Sequence, residues 1–297
     1  MKLLITGGSG FVGTTFRNTV ACTNLLRNGS EVDLTDLEAV KAAVDAAAPD
    51  RVLHLAAQSS VPLSFQDPIG TMKVNFFGTL NLLLALRSLG FKGRFLFVGS
   101  GEIYGNVPSE RLPIAEVQPI RPRNPYAVSK AAAEALCFQW SQTEAFDVLM
   151  TRSFNHIGPG QSECFVVANF AKQVAEIKCG RREHVIRVGD IDVSRDFLDV
   201  RDVVQAYLAL LEHGENGEAY NVCSGVELSI HWILERLIQL ADVKAAIVPD
   251  PDRFRPAEQR RVVGDATKLR QRTTWSPQID IEESLQTILH YSEQELR

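Results

Sequence analysis

Apolar residues in the first half of the chain fall into two patterns that take turns. Short, mostly apolar runs occupy 2–5, 52–57, 95–98 and 148–151, each followed by glycine or a polar residue. Runs of that length, rich in Leu, Ile, Val and Phe, read as strands buried on both faces. Between them, apolar residues recur at helical spacing: Leu37, Val40, Val44 and Ala47 before Pro49, then Met72 to Leu89 before Gly90, then 125–146. Asp67-Pro68 and Asn124-Pro125 each supply an N-cap followed by proline at the first helical position. The second half is less regular. Its spacing predicts helices over 165–177, 200–212, 230–240 and 281–296, and strands over 185–188 and 219–222.

Strands that alternate with helices imply βαβ units on a parallel sheet covered on both faces. The fold class is therefore α/β: a Rossmann-type doubly wound parallel sheet with a smaller C-terminal substrate-binding domain. The expected division is a dinucleotide-binding domain over 1–155, to which 188–224 returns, and a substrate domain built from 156–187 and 225–297. No repeat, low-complexity tract or flexible linker interrupts the chain.

Composition narrows the class of partner. The 297 residues carry 31 basic and 36 acidic side chains, a net charge of −5 without blocks of Lys or Arg. Such a balance disfavours nucleic acid and membrane surfaces. No unbroken apolar run reaches 18 residues and no secretory leader is visible, so no membrane partner is expected. The five cysteines (Cys22, Cys137, Cys164, Cys179, Cys223) lack metal-ligand spacing. They read as reduced thiols of a cytoplasmic protein, and no metal is expected.

The first run leads into Thr6-Gly7-Gly8-Ser9-Gly10-Phe11-Val12-Gly13. Gly8, Gly10 and Gly13 satisfy one dinucleotide-binding spacing; Gly7, Gly10 and Gly13 satisfy another. In both, the glycines allow a tight turn against a pyrophosphate, and a helix starting near Phe11 aims free N–H groups and its positive dipole end at that charge. Gly7, Gly10, Phe11, Val12 and Gly13 are thus cofactor candidates. The adenosine end is open. Glu31 and Asp33 lie at the distance of an acid that binds the ribose hydroxyls of NAD(H), whereas a second strand over 22–26 ends at Arg27, which suits the 2′-phosphate of NADP(H). Asp33 and Leu34 contact the adenine or cap the next helix. NADP(H) is the preferred cofactor on this pattern, with NAD(H) possible.

Tyr126-Ala-Val-Ser-Lys130 carries the chemistry. Four residues apart on a helix, Tyr126 and Lys130 share a face. The lysine charge and the helix N-terminus are expected to lower the phenol pKa, so that Tyr126 exchanges a proton with a substrate oxygen. Lys130 is also expected to hold the nicotinamide ribose. Ser100 follows the 95–98 strand, where its hydroxyl is placed to hold the same oxygen.

The glycine segment, His54-Leu-Ala-Ala57 and Tyr126-x-x-x-Lys130 resemble the extended short-chain dehydrogenase/reductase family over essentially the whole chain. Its members act mainly on nucleotide sugars. The stretches 123–130, 154–161, 188–199 and 220–225 are similar to members that reduce the C4 ketone of GDP-linked 4-keto-6-deoxy sugars. The resemblance implies cofactor contacts from Ala56, Ala57 and Gln58, and a GDP-sugar grip from Asn155, Arg195, Arg255 and Glu258. His156 reads as positioned by its loop, and Arg260-Arg261 as a solvated pair. The resemblance also implies a homodimer formed through helices near 68–89 and 125–146. Phe76, Leu80, Leu83, Leu136 and Trp140 are candidates for that interface or for the chain's own sheet.

A 4,6-dehydratase of this family needs an acid and a base after the serine position, commonly Asp-Glu. Here the sequence reads Ser100-Gly101-Glu102. Glycine cannot donate a proton, which favours simple ketoreduction; Glu102 stands as a base, a sugar contact or a turn residue. Dehydration, 4-epimerisation and non-catalytic cofactor binding are the alternatives.

Overall fold

The computed structural model describes residues 2–27, 29–253 and 259–297. Six parallel strands form one sheet in the spatial order Ala219–Val222, Asp147–Ser153, Arg94–Val98, Arg51–His54, Leu3–Thr6 and Thr23–Asn24. The chain runs outward from Leu3–Thr6 to Thr23–Asn24, then crosses back to Arg51–His54 on the other side. The strand order reverses at Leu3–Thr6, and the loops leaving its carboxyl end and that of Arg51–His54 part there.

Alternate residues of each strand feed two cores. Leu3, Ile5, Leu53, Leu96 and Leu149 pack with Phe16 and with Val203, Val204, Tyr207 and Leu210 of the Val200–His213 helix. Leu4, Val52, Phe95, Phe97, Val148 and Met150 point the other way. They meet Val40 and Val44 of Leu37–Ala47, Leu82, Leu83 and Leu86 of Gly78–Leu89, and Cys137 and Trp140 of Pro125–Thr143. The two-residue period of a strand explains why a continuous apolar run was needed: both faces are covered.

A third cluster lies apart from the sheet. Helices Val166–Lys178, Ile230–Ala241 and Ile281–Glu295 enclose it with Ile186, Val188, Val193 and Phe197. Beside it run a three-stranded sheet (Glu227–Ser229, Ser194–Asp199, Asn155–Ile157) and a two-stranded one (Ala246–Pro249, Val185–Val188).

Three local readings change. The strand expected over 52–57 stops at His54, and Ala56 N–H donates to the Thr6 hydroxyl (3.2 Å) instead of extending a ladder. The second strand spans Thr23–Asn24 only; Leu26–Arg27 then turns back antiparallel on Ser30–Glu31. Asn24, not Arg27, therefore stands at the carboxyl end of that strand. The helix from Pro68 to Leu89 is long and apolar enough to cross a membrane by length and composition, although no single run suggested it. Its apolarity has a local cause, because Leu82, Leu83, Ala85 and Leu86 are fully buried in the second core. One π-helical turn, Lys73–Phe77, interrupts this helix and carries buried Asn75.

Candidate active site

The glycine loop occupies the switch point. Gly7 adopts φ +71°, and a Cβ there would stand 2.7 Å from Ala56 N. A Cβ on Gly13 would stand 2.2 Å from the Gly7 carbonyl oxygen. Both positions demand glycine, and the pair lets the Phe11–Thr19 helix begin against the strand. Gly10 at its N-cap offers no side-chain cap, and the first turn holds no acid. The N–H groups of that turn and the dipole end are left for an anion, so the cradle fits a dinucleotide pyrophosphate.

The neighbouring loop is fixed from behind. His54 bridges Thr6 Oγ1 (2.7 Å) and Thr79 Oγ1 (2.9 Å) through its two ring nitrogens. Burial, with the Lys130 charge adding to it, holds its pKa down at about 3, so the ring is neutral. Asn75 Oδ1 accepts from Gln58 N–H (2.8 Å), and its amide donates to the Gln58 carbonyl and to Ser129 Oγ (2.9 Å). The π turn thus ties the Ala56-Ala57-Gln58 loop to the tyrosine helix.

At the adenosine end, Asp33 accepts from the N–H (2.9 Å) and hydroxyl (2.8 Å) of Thr35, a turn ahead of the next helix. Leu34 is buried, and its carbonyl accepts from the Asn81 amide. Both have structural partners, but neither caps the helix: the cap of Leu37–Ala47 is Asp36, whose carboxylate accepts from Ala39 N–H at 3.0 Å. The side chain of Arg27, together with Arg255 and Glu258, lies outside the described residues.

Asn124 caps the tyrosine helix by accepting from Ala127 N–H at 2.7 Å. Tyr126 is 9% exposed and Lys130 4%. Ser100, 7% exposed, opens a 3-10 turn, Gly101–Tyr104, its hydroxyl accepting from Glu102 N–H. Ser100 hydrogen-bonds Tyr126, and Lys130 follows one helical turn beyond the tyrosine. Their electrostatics reverse the expectation from sequence. Burial pushes the Tyr126 phenol up to about 12; a hydrogen bond from Ser100 pulls it down and the Glu102 charge pushes it up. Burial lowers Lys130 to about 8. Its ammonium donates to the Val98 carbonyl (2.7 Å) and lies 4.9 Å from the Phe97 ring centroid. Desolvation outweighs the helix terminus, and Tyr126 is a neutral proton donor at physiological pH.

Glu102 is exposed and accepts from the Asn124 amide (3.2 Å). A Cβ on Gly101 would meet the Phe154 ring at 3.3 Å. Asn155 is exposed on a strand that pairs with Phe197, so it sits two register positions from Arg195 on the adjacent strand. Arg195 is buried and donates to the carbonyls of Ser194 (2.7 Å) and Arg260 (3.3 Å). The neighbouring Asp196 instead accepts from the Ser224, Gly225 and Gly264 amides. His156 stacks on Phe11 with ring centroids 5.9 Å apart, and burial lowers its pKa. Arg260 and Arg261 are exposed, as a solvated pair would be, and form surface ion pairs with Asp190 and Glu227.

Sequence reading missed one feature behind the trio. Arg152 grips Glu134 (2.7 Å), donates to Tyr104 Oη (3.0 Å) and to the Glu116 carbonyl (2.8 Å). Tyr104 in turn donates to Asn221 Oδ1 at 2.7 Å. Glu134 lies one turn beyond Lys130, and Tyr104 ends the turn that Ser100 begins. A carboxylate at that helical spacing was the available signal.

A phosphate cradle at a sheet switch point, beside a Tyr-Lys pair and a serine, defines a Rossmann-type oxidoreductase of the extended short-chain dehydrogenase/reductase kind. Residues 27–288 match the GDP-mannose 4,6 dehydratase family, and the chain belongs to that family. It is 49% identical to GDP-6-deoxy-D-mannose reductase of Pseudomonas aeruginosa, over 100% of this chain and 98% of that protein. Among solved structures, RMD from Pseudomonas aeruginosa complexed with NADPH superposes with a TM-score of 0.93 at 47% identity, covering 99% of this chain and 100% of that one. UDP-glucose 4-epimerase of Thermus thermophilus, in complex with NAD, gives 0.86 at 31% identity, covering 98% and 99%.

Proposed function

We propose that this chain reduces the C4 ketone of GDP-4-keto-6-deoxy-D-mannose to the alcohol of GDP-6-deoxy-D-mannose (GDP-D-rhamnose), using NADP(H) in preference to NAD(H). The observation that carries the reading is 49% identity to a reductase of the same length across the whole chain. When bound, the reduced nicotinamide supplies the hydride. Tyr126 donates its phenolic proton to the substrate oxygen, Ser100 hydrogen-bonds that oxygen, and Lys130 stabilises the phenolate left behind until solvent reprotonates it. A neutral, buried Tyr126 is the protonation state reduction requires. Gly7, Gly10, Phe11, Val12, Gly13 and the Ala56-Ala57-Gln58 loop hold the cofactor. Asn155 and Arg195 hold the nucleotide sugar, with Gly101 beside it and Glu102 facing its hydroxyls.

Glu102 supports a second reading, dehydration of GDP-mannose, since it is a carboxylate beside Tyr126 in a chain of the dehydratase family. Gly101 weighs against it, because elimination then has a base and no adjacent acid. One assay separates the two. NADPH consumption on adding the 4-keto sugar, abolished in Tyr126→Phe, supports reduction. Turnover of GDP-mannose with no net change in cofactor supports dehydration and overturns the proposal.

The division into a cofactor domain (1–155 with 188–224) and a substrate domain (156–187 with 225–297) is part of the same reading; the third hydrophobic cluster favours a second unit, although Val193 and Phe197 pack in it and Leu269 and Trp275 pack in the main-sheet core. We also place the chain as a cytoplasmic homodimer. Leu83 and Trp140 are buried, and Phe76, Leu80 and Leu136 pack against their own core. Other apolar residues on the same helical layer are exposed, among them Leu63 (45%), Phe65 (63%), Ile69 (69%), Phe77 (50%), Val128 (45%) and Phe138 (52%). Exposed apolar side chains on neighbouring helices favour burial against a second copy. All five cysteines are free thiols, as a reducing compartment would keep them.

A further inference from the structure

Ser100 opens a turn whose own backbone bonds are weak. In Gly101–Tyr104, Ile103 N–H reaches the Ser100 carbonyl at 3.4 Å and Gly105 N–H the Glu102 carbonyl at 3.2 Å. Hydrogen bonds of a 3-10 turn are poorer in geometry than those of an α-helix, so a short turn of this kind depends on outside ties. One is Arg121 N–H on the Ile103 carbonyl (2.9 Å). Another is the side chain that ends the turn. Tyr104 is 1% exposed, its ring tilted against Phe154 and under the Arg152 guanidinium. Its hydroxyl donates to Asn221 Oδ1 (2.7 Å) and accepts from Arg152 (3.0 Å). Burial pushes the phenol pKa up, so the hydroxyl keeps that proton at neutral pH.

Asn221, fully buried, carries this tie across to the substrate side. Its backbone N–H donates to Glu116 Oε1 (2.8 Å), and its side-chain amide donates to the carbonyls of Ile114 (2.8 Å) and Asp265 (3.2 Å). Asp265 N–H returns to the Ile114 carbonyl at 2.9 Å. Gly264 N–H donates to Asp196 (3.1 Å), the neighbour of Arg195. Gly264-Asp265 also follows the stretch that carries Arg255 and Glu258. One buried amide thus holds the serine turn against the chain that bears the nucleotide-sugar candidates. We propose that Tyr104 is a positioning residue for ketoreduction, holding the Ser100 hydroxyl in place beside Tyr126 through its hydrogen bond to Asn221. This rests on the reductase reading above. The Tyr104 hydroxyl is engaged by Asn221 and Arg152, so it acts through the serine. Ser100 and Tyr126 must both face one substrate oxygen, and a misplacement of about 1 Å in such a group costs up to about a hundredfold in rate.

The test is a double-mutant cycle on turnover. kcat and KM for the 4-keto sugar are measured for the native chain, Tyr104→Phe, Ser100→Ala and the double variant. NADPH affinity by fluorescence and melting temperatures check the fold. Phe keeps the packed ring and removes only the hydroxyl. Because the ring still limits the movement, Tyr104→Phe is expected to lower kcat about tenfold, with KM and NADPH affinity within about twofold of native. In the Ser100→Ala background the same change is expected to lower kcat less than about twofold, since no serine hydroxyl is left to place. Asn221→Leu removes the acceptor and is expected to show the same dependence on Ser100; if that variant does not fold, Tyr104→Phe decides alone. A kcat within about twofold of native in Tyr104→Phe, or an equal loss in both backgrounds, overturns the proposal and leaves Tyr104 a core residue. A native chain that does not oxidise NADPH with the ketone overturns the reductase reading itself, and this inference with it.

Discussion

Replacing Arg152 by Met removes the centre of a buried polar network while nearly conserving side-chain volume. Arg152 and Glu134 are only 10% and 8% exposed as side chains, and three of the arginine's hydrogen bonds go to that one carboxylate. The single variant leaves the Glu134 charge buried without a cation, and deprives Tyr104 Oη and the Glu116 carbonyl of a donor. Breaking a buried pair from one side costs about 3–5 kcal/mol, because the surviving charge keeps its desolvation penalty. Removing both partners abolishes that penalty, so Arg152→Met/Glu134→Leu should cost about 2 kcal/mol less than Arg152→Met alone. Equilibrium urea unfolding of the native chain, both singles and the double closes the cycle. Because Tyr104 ends the Ser100 turn, Arg152→Met should also reduce kcat. A cost under about 1 kcal/mol for the single variant, or a double variant that costs the sum of the singles, would refute the buried-pair explanation.

Further outcomes follow from the same geometry. His54 is held neutral at about 3 in the folded chain, while the unfolded chain protonates it near 6.5. Stability from this group is present above that value and lost as pH falls, about 1.4 kcal/mol by pH 5.5. His54→Gln should lose correspondingly less between pH 7.5 and 5.5 in urea titrations; an unchanged loss would count against the assignment. Gly7→Ala forces a Cβ to 2.7 Å from Ala56 N at positive φ. It should weaken NADPH binding at least about tenfold and lower stability by about 1–3 kcal/mol, read by fluorescence titration and unfolding; native-like binding would rule out the cradle. Tyr126→Phe should lower kcat by about two to four orders of magnitude with NADPH affinity changed less than about twofold. A comparable loss of affinity would make the phenol a binding group instead.

The parts legible in the sequence are those whose signal is local. The glycine loop and Tyr126-x-x-x-Lys130 each lie within one strand–turn–helix or helix turn, so spacing alone placed them. The strands of the main sheet declared themselves because both faces are buried. The small strands Asn155–Ile157, Ser194–Asp199 and Glu227–Ser229 did not: each is short and defined by partners dozens of residues away. The bounds of the second strand were misplaced, since a hairpin replaces the length of strand that spacing assumed. The Tyr126 pKa was misjudged in sign because a sequence shows the lysine and the helix start but not the depth of burial that dominates both. The Arg152 network joins residues 104, 134, 152 and 221, and only the folded sheet brings them within hydrogen-bond distance.

Everything proposed for the site turns on hydride delivery to C4 of a GDP-4-keto-6-deoxy sugar. It is measured most directly with NADPH carrying deuterium at the transferable position of the nicotinamide, the product being resolved by NMR. One deuterium at C4 of the 6-deoxyhexose is expected for each NADPH oxidised, and none with Tyr126→Phe on the same timescale. NADPH left unoxidised, or a product without deuterium at C4, would be incompatible with ketoreduction by this site.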